Sequence, residues 1–213
     1  KKLRNLLGLS PKEYRKLLSG STEVVETLMC GHKWEQIEYA HVPSQASLRY
    51  KDAFRKHDPE RYEQFIEQTL NGTEKINTTT LYPHQLVEKC FNYEYDKTVQ
   101  ALWDNLPNYL EGTDQSLLPV VDVSGSMAGQ PMMIAIALGL YLSERNTGRF
   151  KDRFLTFSES PQWASVPKGS LKLKVDKVRR ADWGYTTNLE STFNLILEAG
   201  IKDPTNLPAK LII

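Results

Sequence analysis

Residues 117–123 read LLPVVDV, an apolar run interrupted only by Asp122. A run of this kind, too apolar to face water on either side, belongs to the centre of a parallel sheet covered on both faces. The segments after it fit that placement. PMMIAIALGLYLSERN predicts a helix opened by Pro131 and apolar nearly all round, hence packed on a sheet. RFLTFSES reads as a second strand, and PQWASVP as its returning hairpin partner. SLKLKVDKVRRADWG admits two periods: Leu171, Leu173 and Val175 alternate as in a strand, whereas Leu171, Val175 and Val178 fit a helix. TNLESTFNLILEAG is a helix, and KLII starts another strand that reads as buried. Strand–helix–strand order implies a doubly wound, mostly parallel α/β sheet over residues 116–213.

Residues 1–112 carry a different pattern. SPKEYRKLLS holds a capping box, with Ser10 as cap, Pro11 in the first turn and Glu13 reaching back. HDPERYEQFIEQTLNG repeats the signal, with Asp58 as cap and Tyr62, Phe65, Ile66 and Leu70 on one face before Asn71-Gly72. Between them lies a stripe of Ala46, Tyr50, Ala53 and Phe54, and YPHQLVEKCF and DKTVQALWDNL come later in the chain. A succession of short amphipathic helices with no clean period predicts an irregular helical-repeat or bundle domain.

Both ends look cut. Lys1 leads straight into a helical pattern, and PAKLII stops inside a strand, so the α/β domain is expected to be incomplete. No apolar run is long enough to span a bilayer, and no signal peptide is visible. Cys30 and Cys90 form neither a disulfide framework nor a zinc pattern, and read as buried reduced thiols of a cytoplasmic protein. His32, His41, His57 and His84 lack metal-pair spacing and read as capping or core residues. The formal net charge is +1, and residues 1–116 hold 15 Lys and Arg against 17 Asp and Glu, so bulk charge favours neither a nucleic-acid nor a membrane binder.

In open α/β sheets, ligands bind beyond the carboxyl ends of the strands. Asp122, Ser124 and Ser126 occupy such an end. Their carboxylate and two hydroxyls offer oxygen alone, which suits a hard divalent cation such as Mg²⁺ that keeps several waters. The same three residues also suit a plain helix-capping turn. GSMAG is not the GxSxG of a nucleophile elbow, and no P-loop is present.

DVSGSM resembles the DxSxS signature of von Willebrand factor A domains, whose metal-ion-dependent adhesion site holds Mg²⁺. That resemblance implies that Ser124 and Ser126 coordinate directly and Asp122 through water. It adds a threonine from a second loop, here Thr187 of WGYTTNLESTF, with Thr186 as runner-up, and a further aspartate expected beyond Ile213. The chain as a whole resembles the domain-of-unknown-function 2828 family, through SPKEYRKLLS, VPSQASLRYKDAFRKHDPERYEQFI, LYPHQLV, LPVVDVSGSM and ADWGYTTNLESTFNLIL. The family is similar to Ro/TROVE proteins, which join a helical-repeat domain to a von Willebrand A domain and bind small structured RNAs through the helical part.

These readings give three functional expectations. The first is a non-enzymatic module whose cation engages a partner's Asp or Glu carboxylate. The second, as in Ro, is RNA binding through Lys12, Arg15, Lys16, Arg49, Lys51, Arg55 and Lys56, with Tyr14 and Tyr50 available for stacking. The third is a metal-dependent phosphoryl hydrolase, for which no general base with suitable spacing is visible. Lys168–Arg180, with six basic residues and one Asp, reads as a polar helix face able to touch phosphates.

Overall fold

In the computed structural model, the described residues are 2–21, 24–92, 94–112, 116–122, 124–180 and 187–213. Val123, at the end of the predicted strand, and Thr186 lie outside them. The chain forms two compact units, Lys1–Asn77 and Thr78–Ile213.

The first unit is helical: α1 (Lys2–Leu6), α2 (Pro11–Ser21), α3 (Val25–Cys30), α4 (Ser44–His57) and α5 (Pro59–Leu70). The capping box of α2 forms as its sequence dictates. Ser10 N donates to Glu13 Oε2 at 2.9 Å, and Glu13 N donates to Ser10 Oγ at 3.3 Å. Asp58 behaves differently from its expected role. It makes no side-chain cap for α5; its Oδ2 instead accepts from Tyr39 Oη at 2.8 Å and Arg61 Nη1 at 2.7 Å. The tyrosine hydroxyl, carried beside a core of Phe54 and Tyr62, needs an acceptor more than the exposed helix end does.

The second unit opens with α6 (Pro83–Asn92) and α7 (Lys97–Asp104), which pack with the sheet-bearing segment. Its other elements are β1 (Leu117–Val121), α8 (Gln130–Arg145), β2 (Arg153–Thr156), β3 (Trp163–Ser165), α9 (Leu171–Arg179), α10 (Leu189–Lys202) and β4 (Lys210–Ile212). The ambiguous basic stretch is therefore helical, with Leu171, Val175 and Val178 as its buried face. The sheet is mixed, in the order β3-β2-β1-β4. β1 runs parallel to both neighbours, with Val121 opposite Thr156 and Leu118 opposite Leu211, while β2 and β3 form the expected antiparallel hairpin.

All five residues of β1 are buried. Leu118 and Val120, on one pleat face, pack with Leu155 of β2 and Ile196 of α10. On the other face α8 comes so close at Gly139 that a Cβ there would strike Val121. Helices thus cover both faces of the sheet. β4 departs from the expected buried strand: it lies at the edge of the described sheet, and Lys210 and Ile212 are exposed.

Side-chain bonds fix this layering. Asn146, just past α8, donates from Nδ2 to Leu117 O at 2.6 Å, tying the helix exit to the start of β1. Glu144 of α8 accepts from Trp103 Nε1 of α7 at 2.8 Å and meets Lys174 Nζ of α9 at 2.6 Å. Arg145 lies 4.2 Å over the Tyr141 ring and donates to Trp103 O.

Two outcomes are expected. Gly139→Ala forces α8 off β1 and lowers stability by about 1–3 kcal/mol, as an overpacked core does, readable by urea denaturation. An unchanged midpoint would show that the close approach is not rigid. Cys30 is exposed while Cys90 is buried, and burial pushes the Cys90 thiol up to about 12. Since the thiolate is the nucleophile, Ellman's reagent should titrate Cys30 alone in the native protein and both thiols after unfolding.

Candidate metal centre

The three residues singled out at the end of β1 converge. Asp122 Oδ1 accepts a hydrogen bond from Ser124 N at 2.8 Å, closing a tight turn. Gly125–Met127 then form one 3₁₀ turn, and Gly129, at φ 89°, swings the chain into α8. This turn brings Ser124 Oγ and Ser126 Oγ to 3.0 Å from one another. Ser124 is buried, Ser126 exposed and Asp122 between the two.

Thr187 is exposed, on the loop that leads into α10. A short chain of backbone bonds ties that loop to the same end of the sheet. Phe157 N donates to Val121 O at 2.9 Å, extending the β1–β2 ladder, and Asn188 N donates to Ser158 O at 3.3 Å. Asn188 also caps α10, its Oδ1 accepting from Ser191 N at 2.9 Å. Among the described residues, the Thr187 hydroxyl makes no hydrogen bond to Asp122 or to the two serines. The anchoring role of Ser158 was not foreseen from sequence, because it is a backbone carbonyl that acts and any residue supplies one.

The donor set can be tested against the ion it would take. Adjacent ligands of an octahedral Mg²⁺ at about 2.1 Å stand about 3.0 Å apart, which is the Ser124–Ser126 oxygen separation. A hydroxyl–hydroxyl hydrogen bond has nearly the same length, so the separation fits either and the pair is satisfied without an ion. Among the described residues, the Asp122 carboxylate bonds through Oδ1 alone. No group of three His, Cys, Asp or Glu side chains converges among the described residues.

The other candidates are dispersed over surfaces. Lys12, Arg15 and Lys16 are exposed on α2, and Arg49 and Lys56 on α4. Lys51 and Arg55 both reach Asp52 Oδ1, at 2.9 and 3.3 Å, which neutralises part of that stripe. Tyr14 and Tyr50 are half-buried, Tyr50 lying edge-on to Phe54. No histidine is in a core. His32 takes the left-handed position after α3, and His41 pairs with Glu38 at the surface. His57 stacks on Trp34 at 4.5 Å and His84 on Tyr82 at 5.8 Å. Among the described helices, none is long and apolar enough to cross a membrane.

A family model described as "Domain of unknown function (DUF2828)" matches residues 2–115, just over half the chain. A second, "Domain of unknown function (DUF7788)", matches residues 116–209. The resemblance read from sequence across nearly the whole chain therefore divides between two families, at the start of β1. An uncharacterized protein of Acanthamoeba polyphaga mimivirus is 34% identical over 218 residues, an alignment covering 93% of this chain and 38% of that protein. The chain thus spans well under half the length of this relative. No solved structure matches.

Proposed function

The chain belongs to the DUF2828 family, and we propose that it is a non-enzymatic binding module of the von Willebrand A type, in which Asp122, Ser124, Ser126 and Thr187 hold a Mg²⁺ that engages the carboxylate of a protein partner. The observation that carries this reading is the pair of serine oxygens 3.0 Å apart beside Asp122 at the carboxyl end of the central strand. With neutral hydroxyls as neighbours, one carboxylate leaves the ion electrophilic, and an anionic ligand completes its charge. Asp122 contributes the protein's charge, Ser124 and Ser126 the direct oxygens, and Thr187 approaches from the α10 loop. The unpaired Cys30 and Cys90 suit the reducing cytoplasm.

Mn²⁺, followed by water-proton relaxation, reports weak sites of this kind. The chain should bind Mn²⁺ competitively with Mg²⁺, and Asp122→Ala should weaken it by about tenfold or more, because ligand charge sets affinity at such sites. Circular dichroism should stay unchanged. Equal binding by that variant would leave Asp122 as a turn residue and nothing more.

A second reading is RNA binding through the first unit, within a Ro-like particle, and it is supported by the exposed Lys12, Arg15, Arg49 and Lys56. Filter binding with structured and single-stranded RNA at low salt should then show affinity that falls steeply with salt, by about 0.7–0.9 log units per log unit of salt for each phosphate contact. Neutralising Lys12, Arg15 and Arg49 together should remove it. Retention of full affinity by that triple variant sinks the reading.

A further inference from the structure

The basic stretch Lys168–Arg180 takes no part in the cation site. Its core is α9, which lines an open cleft of about 620 Å³ together with Glu94 and Tyr95, just after α6. Most of the cations of α9 are committed within the fold. Lys172 Nζ donates to Cys90 O and to Asp176 Oδ1, both at 2.9 Å. Lys174 is held by Glu144, and Arg179 lies 4.8 Å over the Phe91 ring. Lys177 and Arg180 remain: both are exposed, and among the described residues neither forms an ion pair.

They share a stripe with Leu173 at i, i+4 and i+7, and that stripe lines the cleft. Leu173 is 50% exposed and Tyr95 is 51% exposed, so the cleft shows water two apolar surfaces next to Lys177 and Arg180; its lining also holds Glu94 and Asp176, the latter paired with Lys172. A complementary ligand is anionic at one end and flat and apolar at the other. Glu94, on the rim, accepts from an amino or hydroxyl group and repels a second anion, which disfavours polyanions with no neutral body. The volume falls within the range of small-ligand sites, about 300–1,000 Å³.

We propose that this cleft binds a nucleotide, with its phosphate on Lys177 and Arg180 and its base against Tyr95. The site is independent of the cation centre. The same chemistry is presented by a free mononucleotide and by one residue of a single strand, and competition separates the two.

The probe is a fluorescein-labelled single-stranded oligouridylate, followed by anisotropy at low salt and competed with UMP, unlabelled strand or inorganic phosphate. The parent chain should bind saturably, with log affinity falling by about 1.4 per log unit of salt for two phosphate contacts on a single strand. Lys177→Ala/Arg180→Ala should weaken binding about tenfold or more and flatten that slope. Tyr95→Ala should weaken it about tenfold, the loss of one stacked base. Displacement by UMP at stoichiometric excess identifies the free nucleotide as ligand, and displacement by strand alone identifies single-stranded nucleic acid; either supports the site. All three side chains are exposed, and Lys177→Gln provides a milder variant should the double one lose its circular dichroism signal. The proposal is overturned if the parent shows no saturable binding, or if the double variant, or Lys177→Gln in its place, binds as the parent does. It is overturned equally if inorganic phosphate competes as well as UMP and Tyr95→Ala changes nothing, which would reduce the cleft to a patch for anions.

Discussion

The approach of α8 to β1 at Gly139 sets the position of nearly everything of interest in the second unit. Only a residue without Cβ lets the helix backbone settle against Val121. Dispersion falls off over fractions of an ångström, so a wider gap would forfeit much of the contact between an all-buried strand and its covering helix. Just beyond β1, Ser124 N bonds back to Asp122 and the hydroxyls of Ser124 and Ser126 meet.

A second constraint is polar. Glu144 joins α7, α8 and α9 through Trp103 and Lys174, in a setting only partly open to water. A carboxylate in that setting costs free energy unless it is bonded and paired; Trp103 bonds Oε2, and Lys174 pairs with Oε1 by charge without hydrogen-bond geometry. The consequence is architectural. α6 and α7, which read as the close of a helical domain, pack with the sheet-bearing unit, whereas the two family models meet further along, between residues 115 and 116. Sequence kinship and compactness divide this chain at different places, because kinship tracks the chain whereas packing tracks tryptophan, arginine and carboxylate partners distant in it.

The end of β1 and the cleft along α9 dispose charge differently. At the end of β1 the described side chains set one carboxylate, Asp122, beside two neutral hydroxyls. Along α9 most cations are neutralised or stacked internally, and two are left outward beside apolar surface. A count of basic residues along the stretch cannot tell these roles apart; the partners of each can.

Much of the fold was legible in the residues. The all-apolar run at 117–121 announced a strand buried on both faces, the Ser10–Glu13 box and Pro59 announced helix starts, and RFLT with WAS announced a hairpin, since these signals are local and their physics is complete within a few residues. Asp122, Ser124 and Ser126 were legible for the same reason, as a short turn at a strand end. What only the tertiary structure decided depends on partners far along the chain. Asp58 gave up its capping role to Tyr39, α9 became a helix once Leu171, Val175 and Val178 found a face to bury, and β4 took the edge of the sheet. Lys172 and Lys174 found carboxylate partners, whereas Lys177 and Arg180 form no ion pair among the described residues. Sequence determines which groups are present and which local turns they favour; only packing, which brings residues 71 and 82 positions apart into hydrogen-bond range as in Leu171–Gln100 and Lys172–Cys90, decides which of those groups are already satisfied.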